Sequence, residues 1–300
     1  MFSPDDHRRG LVCGLSAYLI WGLVPVYFKL LTGVHALEII AHRVLWSVLL
    51  LLAILVAIGR MPALVAALRN PRILGALFTS ALLIGVNWAI YVWAVINGHI
   101  LATSLGYFLN PLLNVLLGVM LLKESLSRGQ KVAIALAAVG VAVAAAGALG
   151  QLWISVALAA SFACYGLIRK LTPAGAIEGL AVETVVLAPL CLGWLAWEYA
   201  GGTLAFGRDR GTDVLLALSA LVTSIPLMFF AAAARRLPYS TLGVLQYLAP
   251  SLVFLLGIFV YGEPLRPAML IAFVLIWAGL VVFTVDMVRR GRAPRPVAID

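Results

Sequence analysis

A few charged side chains stand inside long apolar runs of this sequence, where they are costly and could do chemistry. Arg43 lies about six residues into the run 37–58, and Glu183 lies about three residues into the run 180–199. A charge at the middle of a membrane-spanning helix costs about 2.5–3.5 kcal/mol on the insertion scale, so it usually faces a cavity or a partner. The two residues predict a charged cavity that orients a zwitterionic or anionic solute. The alternative is that backbone carbonyls and polar neighbours near the helix ends hold them.

Polar and aromatic side chains recur at helical spacing in two further runs. Asn87 and Tyr91 are four residues apart, and Tyr107, Asn110 and Asn114 follow one another at spacings of three and four. Residues at these spacings share one helix face, so each run carries a polar stripe. Such a stripe either lines a cavity for an amphipathic organic solute or serves as hydrogen-bonding glue between helices. The other candidate cavity residues are Trp21, Tyr165, Gln246 and Tyr247.

Prolines and glutamates mark the places where these runs bend or end. Pro25, Pro111 and Pro250 each remove a backbone donor and free a carbonyl one turn earlier. Polar backbone at membrane depth is tolerated where it lines a cavity, so we expect kinks or gating elements there. Glu124 and Glu263 end two of the runs. We interpret both as orienting or gating residues, with simple solvation of a helix end as the alternative.

Composition sets the environment in which these residues act. The chain has 300 residues, of which 64% are hydrophobic and 11% are charged. An average soluble domain carries roughly 25% charged residues, so this chain cannot build a water-exposed surface. The same numbers exclude a disordered chain and a secreted disulfide scaffold. The three cysteines lie in apolar runs without metal-ligand spacing, so we expect neither a metal nor a cofactor.

Ten apolar runs are long enough to cross a membrane, which needs about 20 helical residues for a core about 30 Å thick. The sequence therefore predicts an all-α integral membrane protein with ten transmembrane helices. The fifth and sixth runs are separated only by Gly150 and Gln151. The ten runs are 11–31, 37–58, 73–95, 101–122, 132–149, 152–168, 180–199, 214–234, 240–261 and 268–287.

The positive residues are distributed unevenly around these runs. Of the 21 Lys and Arg, 16 fall in the segments on one side of the predicted bundle, four fall on the other side, and Arg43 lies within a run. Cytoplasmic segments carry such an excess, so we expect the tails 1–10 and 288–300 to be cytoplasmic. The net charge of +9 therefore sets orientation and does not predict binding to nucleic acid.

The two halves of the sequence resemble each other. A shift of 139 residues carries Pro111 to Pro250, Glu124 to Glu263 and Gly140 to Gly279, and a shift of 140 carries Arg43 to Glu183. Five runs per half is an odd number, so the predicted repeats 11–149 and 152–287 must cross the membrane in opposite senses. Inverted repeats are typical of secondary transporters. A duplication that merely built a stable bundle is the alternative.

Four stretches resemble a known family. They read AYLIWG at 17–22, HRVLWS at 42–47, SLGYFLNP at 104–111, and STLG at 240–243 followed by Gln246 and Tyr247. They resemble the EamA-type members of the drug/metabolite transporter superfamily, over nearly the whole chain. The resemblance implies a permease of the bacterial inner membrane with ten helices in two EamA repeats, and a central cavity lined by helices of both.

These observations together predict a secondary transporter of a small organic metabolite or drug-like solute, working by alternating access. Its partners are that solute and the lipid bilayer, with proton coupling as a further expectation. Small residues between 139 and 147 predict tight helix packing, within the fold or in a homodimer. Export follows from the resemblance alone. The alternatives are an intramembrane enzyme acting on a hydrophobic substrate and a membrane assembly protein; no ATP-binding glycine-rich loop is present.

Overall fold

Every regular element in the described part of the chain is a helix. The structure is a computed structural model and describes residues 4–122, 127–234, 236–237 and 245–292. The elements are α1 Pro4–Lys29, α2 Ala36–Ala57, α3 Met61–Arg69, α4 Pro71–Ile96, α5 Ile100–Leu122, α6 Arg128–Leu171, α7 Ala176–Ala200, α8 Arg210–Ala234, α9 Leu248–Leu255 followed by a π-helical turn Leu256–Val260, and α10 Pro267–Arg292.

Most of the described helices have the lengths and composition of membrane spans. Seven helical stretches of 18 or more residues are apolar enough to cross, and two shorter apolar stretches, Ile100–Asn110 and Leu248–Val260, accompany them. Helix α3 has 9 residues and is about 14 Å long at 1.5 Å per residue, too short to span. It fills the connection between two predicted runs, where Pro62 in its first turn favours a helix start. The fold class, an all-helical membrane protein, is confirmed in this form.

Helix α6 covers both the fifth and the sixth predicted run in one segment of 44 residues. Its first part packs against α10 and runs antiparallel to it, because residues further along α6 meet residues nearer the start of α10. The contacts pair Ser127 with Asp286, Ala133 with Gly279, and Gly140 with Ala272.

The second part of α6 runs the other way. The hydroxyl of Ser155 donates to the carbonyl of Ala102 at 2.7 Å, and Leu158 lies against Gly106, so this part is parallel to α5. Helices α5 and α10 are themselves parallel, since Glu263 before α10 contacts the start of α5 and later residues of the two helices meet ring to ring. The chain therefore turns back between Gly140 and Ser155.

Two close contacts between α6 and α10 mirror each other. A Cβ built on Gly140 would lie 3.2 Å from the carbonyl oxygen of Ala272, and a Cβ built on Gly279 would lie 2.9 Å from that of Ala133. The shift of 139 residues relates both pairs. The small residue at 140 thus serves packing within the chain, one of the two roles that its spacing predicted.

Helices α2 and α7 lie antiparallel, with the start of each tied to the end of the other. Glu38 in the first turn of α2 accepts hydrogen bonds from the backbone N–H groups of Ala205 and Phe206, just beyond α7. Glu178 in the first turn of α7 forms a 2.7 Å ion pair with Arg60, just beyond α2. We call these two regions the Glu38 end and the Arg60 end of the bundle. Arg43 and Glu183 each lie five residues into their helix from these anchoring glutamates.

Candidate functional site

Arg43 is half-buried among helices of both parts of the chain. Its Nε group donates a 2.6 Å hydrogen bond to Oγ1 of Thr223 on α8. Its guanidinium carbon lies 4.3 Å from the ring centre of Trp88 on α4 and 5.9 Å from that of Phe28 on α1. A guanidinium over an aromatic face is attracted by the ring quadrupole, which offsets part of the cost of removing the charge from water. Within the described residues no carboxylate lies within 4 Å of Arg43.

Tyrosines complete the surroundings of this cation. The rings of Tyr91 and Tyr107 meet edge to face at 5.6 Å, and Phe28 packs on Tyr91 at 6.1 Å. The hydroxyl of Tyr27 donates to the carbonyl of Leu215. Tyr27, Tyr91 and Tyr107 all stand within electrostatic range of the Arg43 side chain. The site thus presents aromatic faces and hydroxyl groups around one positive charge.

The guanidinium of Arg43 retains binding capacity. An arginine side chain carries five N–H donors in a planar fork. Only the Nε donor has a hydrogen-bond partner among the described residues, and the side chain is only partly buried. The two Nη groups can therefore take a carboxylate or another planar anion in a bidentate arrangement.

Glu183 on α7 forms a second charged centre and is fully buried. The hydroxyl of Ser80 donates to its Oε1 at 2.6 Å, and the hydroxyl of Tyr165 donates to its Oε2 at 3.4 Å. Nε of Arg169 lies 3.6 Å from Oε1. These partners hold the carboxylate in place. The sequence singled out Glu183 as a charged residue within a span, but its spacing did not predict the contact with Arg169.

A row of aromatic rings connects the two charged centres. Tyr107 contacts Phe162 at 6.2 Å, and Phe162 contacts Tyr165 at 5.9 Å, which in turn reaches Glu183. Of the residues predicted from sequence, the structure therefore brings together Arg43, Tyr91, Tyr107, Tyr165 and Glu183.

Asn87 and Asn110 are buried apart from this row. The amide of Asn87 donates to the carbonyl of Leu158 and to the hydroxyl of Ser161, both at 2.9 Å. These bonds join α4 to α6, which is the hydrogen-bonding role that the polar stripe left open. Asn110 Oδ1 has no hydrogen-bond partner among the described residues.

Three other predicted cavity residues lie elsewhere. Trp21 packs against Tyr18 at 5.4 Å and Phe230 at 5.8 Å, between α1 and α8. Tyr247 lines a separate, largely apolar groove of about 480 Å³ between α5, α9 and α10. Gln246 precedes it in a turn. This groove does not include Arg43.

The predicted kink and gating residues have distinct places. Pro25 is buried within α1. Pro250 lies in the first turn of α9, directly after the turn at 246–247, so it starts a helix and does not bend the middle of one. Glu263 accepts hydrogen bonds from the backbone N–H groups of Ile100 and Leu101, at 2.6 and 2.9 Å, and so caps α5. Glu124 lies outside the described residues, as do the side chains of Pro111 and Asn114.

The sequence did not predict several residues that contact Arg43 or Glu183. Trp88 and Thr223 touch Arg43, and Ser80 and Arg169 touch Glu183. The spacing of Ser219 and Thr223, four residues apart on one helix face, is a signal that could have indicated Thr223. Nothing in the spacing says that α8 turns that face toward α2.

Comparison with known proteins agrees with this fold. The EamA-like transporter family matches residues 8–146. The chain is 49% identical to an uncharacterized transporter of Pseudomonas aeruginosa, over 96% of this chain and 98% of that protein. It is 45% identical to the protein RarD of Streptomyces exfoliatus, over 98% of this chain and 94% of that one. A crystal structure of a protein 20% identical in sequence covers 93% of this chain and 98% of its own, with a TM-score of 0.60; it supports the fold alone.

Proposed function

The chain belongs to the EamA-like transporter family, in its RarD-like branch, and from that premise we propose what it moves and how. Membership makes it a multi-pass inner-membrane transporter of the drug/metabolite type. The proposal is that it carries a small organic metabolite or drug-like solute with an anionic group and an apolar, aromatic-sized body. It works as a secondary transporter by alternating access and moves the solute outward.

The surroundings of Arg43 are the main support for this proposal. A cation within a membrane span faces the bundle interior or a cavity and pairs with another charge or with backbone carbonyls, and Arg43 has no carboxylate partner among the described residues. Its Nη donors and the faces of Trp88, Tyr91 and Tyr107 together suit a planar anionic group attached to an apolar body. The half-burial of the side chain supports access for a solute.

The architecture behind this mechanism is ten crossings in two inverted five-helix repeats, 11–149 and 152–287. The reversal within α6 supports two crossings there. The mirrored contacts of Gly140 and Gly279 support two equivalent halves. Arg43 and Glu183 stand at equivalent places of α2 and α7, one near each end of the bundle. Related halves of this kind can exchange conformations and so open a central site alternately to each side.

The orientation follows from charge. The Arg60 end borders most of the Lys and Arg residues, so we assign it to the cytoplasm and the Glu38 end to the outside. Both termini are then cytoplasmic. In the described structure α1 begins at Pro4 and α10 continues to Arg292, so helical conformation extends into both predicted tails.

An untargeted comparison of metabolites tests the function directly. Cells lacking the protein and cells overexpressing it are compared for solutes inside and in the medium. A transporter redistributes a solute without changing it, so we expect one anionic compound depleted inside and enriched outside on overexpression. A compound that is converted into another, with no redistribution, would favour the intramembrane enzyme. An unchanged set of solutes in both comparisons would favour an assembly role.

A further inference from the structure

Two acidic side chains are buried against each other at the Glu38 end. Glu38 lies in the first turn of α2 and is 1% exposed, and Glu198 lies in the last turn of α7 and is 4% exposed. The two side chains share their neighbours. Nδ1 of His35 lies 3.8 Å from Glu198 and accepts from the backbone N–H of Leu37, next to Glu38. The connection after α7 bonds to the carbonyl of Glu198 through Thr203 and to the carboxylate of Glu38 through Ala205. Two carboxylates side by side and away from water repel strongly, so such a pair shares a proton.

The hydrogen bonds indicate which carboxyl carries it. Oε1 of Glu38 accepts from the backbone N–H groups of Ala205 and Phe206, at 3.0 and 2.9 Å, so this oxygen already has its donors. Oε2 of Glu198 has no hydrogen-bond partner among the described residues, although it is buried. A protonated Glu198 would donate from this oxygen to Glu38, and the unpartnered atom would be satisfied.

Two histidines and one further acid are the other ionisable groups near the pair. Nδ1 of His35 lies 3.8 Å from Oε1 of Glu198, and Nε2 of His42 lies 4.0 Å from Oε1 of Glu38 with no hydrogen-bond partner. Asp213 of α8 interacts electrostatically with His42. In the described parts of the chain, no Lys or Arg lies within 4 Å of either glutamate.

The opposite end of the bundle shows the alternative arrangement. Glu178 occupies the place in α7 that Glu38 occupies in α2, 140 residues earlier. There Nε of Arg60 lies 2.7 Å from the carboxylate, so an arginine supplies the charge that Glu178 needs. At the Glu38 end the facing residue is a second glutamate. A proton bound by the pair would play there the part that Arg60 plays at the other end.

We propose that Glu38 and Glu198 form a proton-binding site that holds one proton while the outer end is closed. The pair joins the start of α2, which carries Arg43 one and a half turns further on, to the end of α7. Loss of the proton leaves two adjacent negative charges, and separation of α2 from α7 relieves their repulsion. Opening at the outer end therefore releases a proton to the outer solution, and closing takes one up. This link to opening rests on the proposed transport function; the proton site itself does not.

Infrared spectroscopy of the full-length protein in lipid nanodiscs tests the site. The carbonyl band of a protonated carboxylic acid is followed as the pH is raised, in wild type, Glu198→Gln and the control Glu178→Gln. We expect a titrating band in wild type and in the control, and its loss in Glu198→Gln. The glutamine amide can still donate to Glu38, so the variant should fold, which its thermal midpoint checks. A band unchanged by Glu198→Gln overturns the proposal, and so does a wild type without a titrating band.

Transport gives an independent second readout. With the solute found by metabolite comparison, its exchange rate in proteoliposomes is measured against external pH. We expect a pH dependence in wild type that is lost in Glu198→Gln and kept in Glu178→Gln. An equal pH dependence in all three overturns the link to opening. The infrared measurement needs no solute. A protein that shows the titrating band but transports no solute would therefore disprove the transport function while the proton site is retained.

Discussion

Nε of Arg43 on α2 donates a 2.6 Å hydrogen bond to Oγ1 of Thr223 on α8, 180 residues later in the chain. The cation from the first half is thus held by a hydroxyl from the second half. Any motion that separates α2 from α8 breaks this bond and changes which donors Arg43 can offer. The bond couples the arrangement of the halves to the binding capacity of the site.

Removal of the Thr223 hydroxyl should weaken solute handling without unfolding the protein. Thr223→Val keeps the side-chain volume and deletes the acceptor, and a hydrogen bond to a charged group contributes about 1.5–3 kcal/mol. We expect the KM for the solute in proteoliposomes to rise by about tenfold or more. Thr223→Ser retains a hydroxyl and should stay near the wild-type value. Equal KM values for the valine and serine variants would mean that the bond has no role in binding.

Gly179 should be required for the ion pair at the other charged centre. A Cβ on Gly179 would overlap Nη1 of Arg169, so Gly179→Ala must displace the guanidinium from Glu183. Breaking a buried pair on one side typically costs about 3 kcal/mol, which a thermal or denaturant unfolding curve can detect. Gly193→Ala, on the same helix and with open space around the glycine, is the matched control. If the two variants unfold alike, the Arg169–Glu183 pair does not stabilise the protein.

Gly22 and Gly166, one in each half of the chain, should respond differently to alanine. A Cβ on Gly22 would lie 2.7 Å from Cβ of Leu252, whereas a Cβ on Gly166 would meet nothing within 4 Å. Overpacking of this kind costs about 1–3 kcal/mol, so Gly22→Ala should lower the thermal midpoint. Gly166→Ala should leave it unchanged or raise it slightly. A lower midpoint for Gly166→Ala alone would contradict the tight contact of α1 with α9.

The sequence predicted the class of protein and the chemical identity of its charged centres, but not their partners. Hydropathy and helix length indicated membrane spans, and the cost of a buried charge singled out Arg43 and Glu183. Spacing tells which residues share a helix face, but it does not tell which neighbour that face meets. Trp88 and Thr223 therefore stayed unassigned, although both lie in predicted runs.

Other differences also have physical reasons. Asn87 and Tyr91 lie on one face of α4, yet Asn87 bonds to α6 and Tyr91 packs near Arg43. The reason is that one face of a helix packed among several others contacts more than one neighbour. Proline spacing predicted a kink at Pro250, and the structure has a helix start there, since proline fits the first turn as readily. The short helix α3 was not predicted, because only apolar runs of about 20 residues indicate membrane spans.

The proposed orientation predicts the side on which tags are exposed. Epitope tags at both termini should be protected from protease in intact cells with a permeable outer envelope, because both ends lie in the cytoplasm. A tag placed in the connection 201–209 should be cleaved, because that connection lies at the Glu38 end. Cleavage of a terminal tag in sealed cells, with the 201–209 tag protected, would reverse the assignment of the two ends.

Solute transport by Arg43 variants tests the central claim most directly. Wild type, Arg43→Ala, Arg43→Lys and the exposed control Arg72→Ala are reconstituted at equal density, and uptake of the identified anionic solute is measured. We expect Arg43→Ala to fall to the level of empty liposomes. Arg43→Lys should lose about tenfold or more, because an ammonium lacks the planar fork. Arg72→Ala should match wild type. Uptake by Arg43→Ala at the wild-type rate would contradict the proposed binding site.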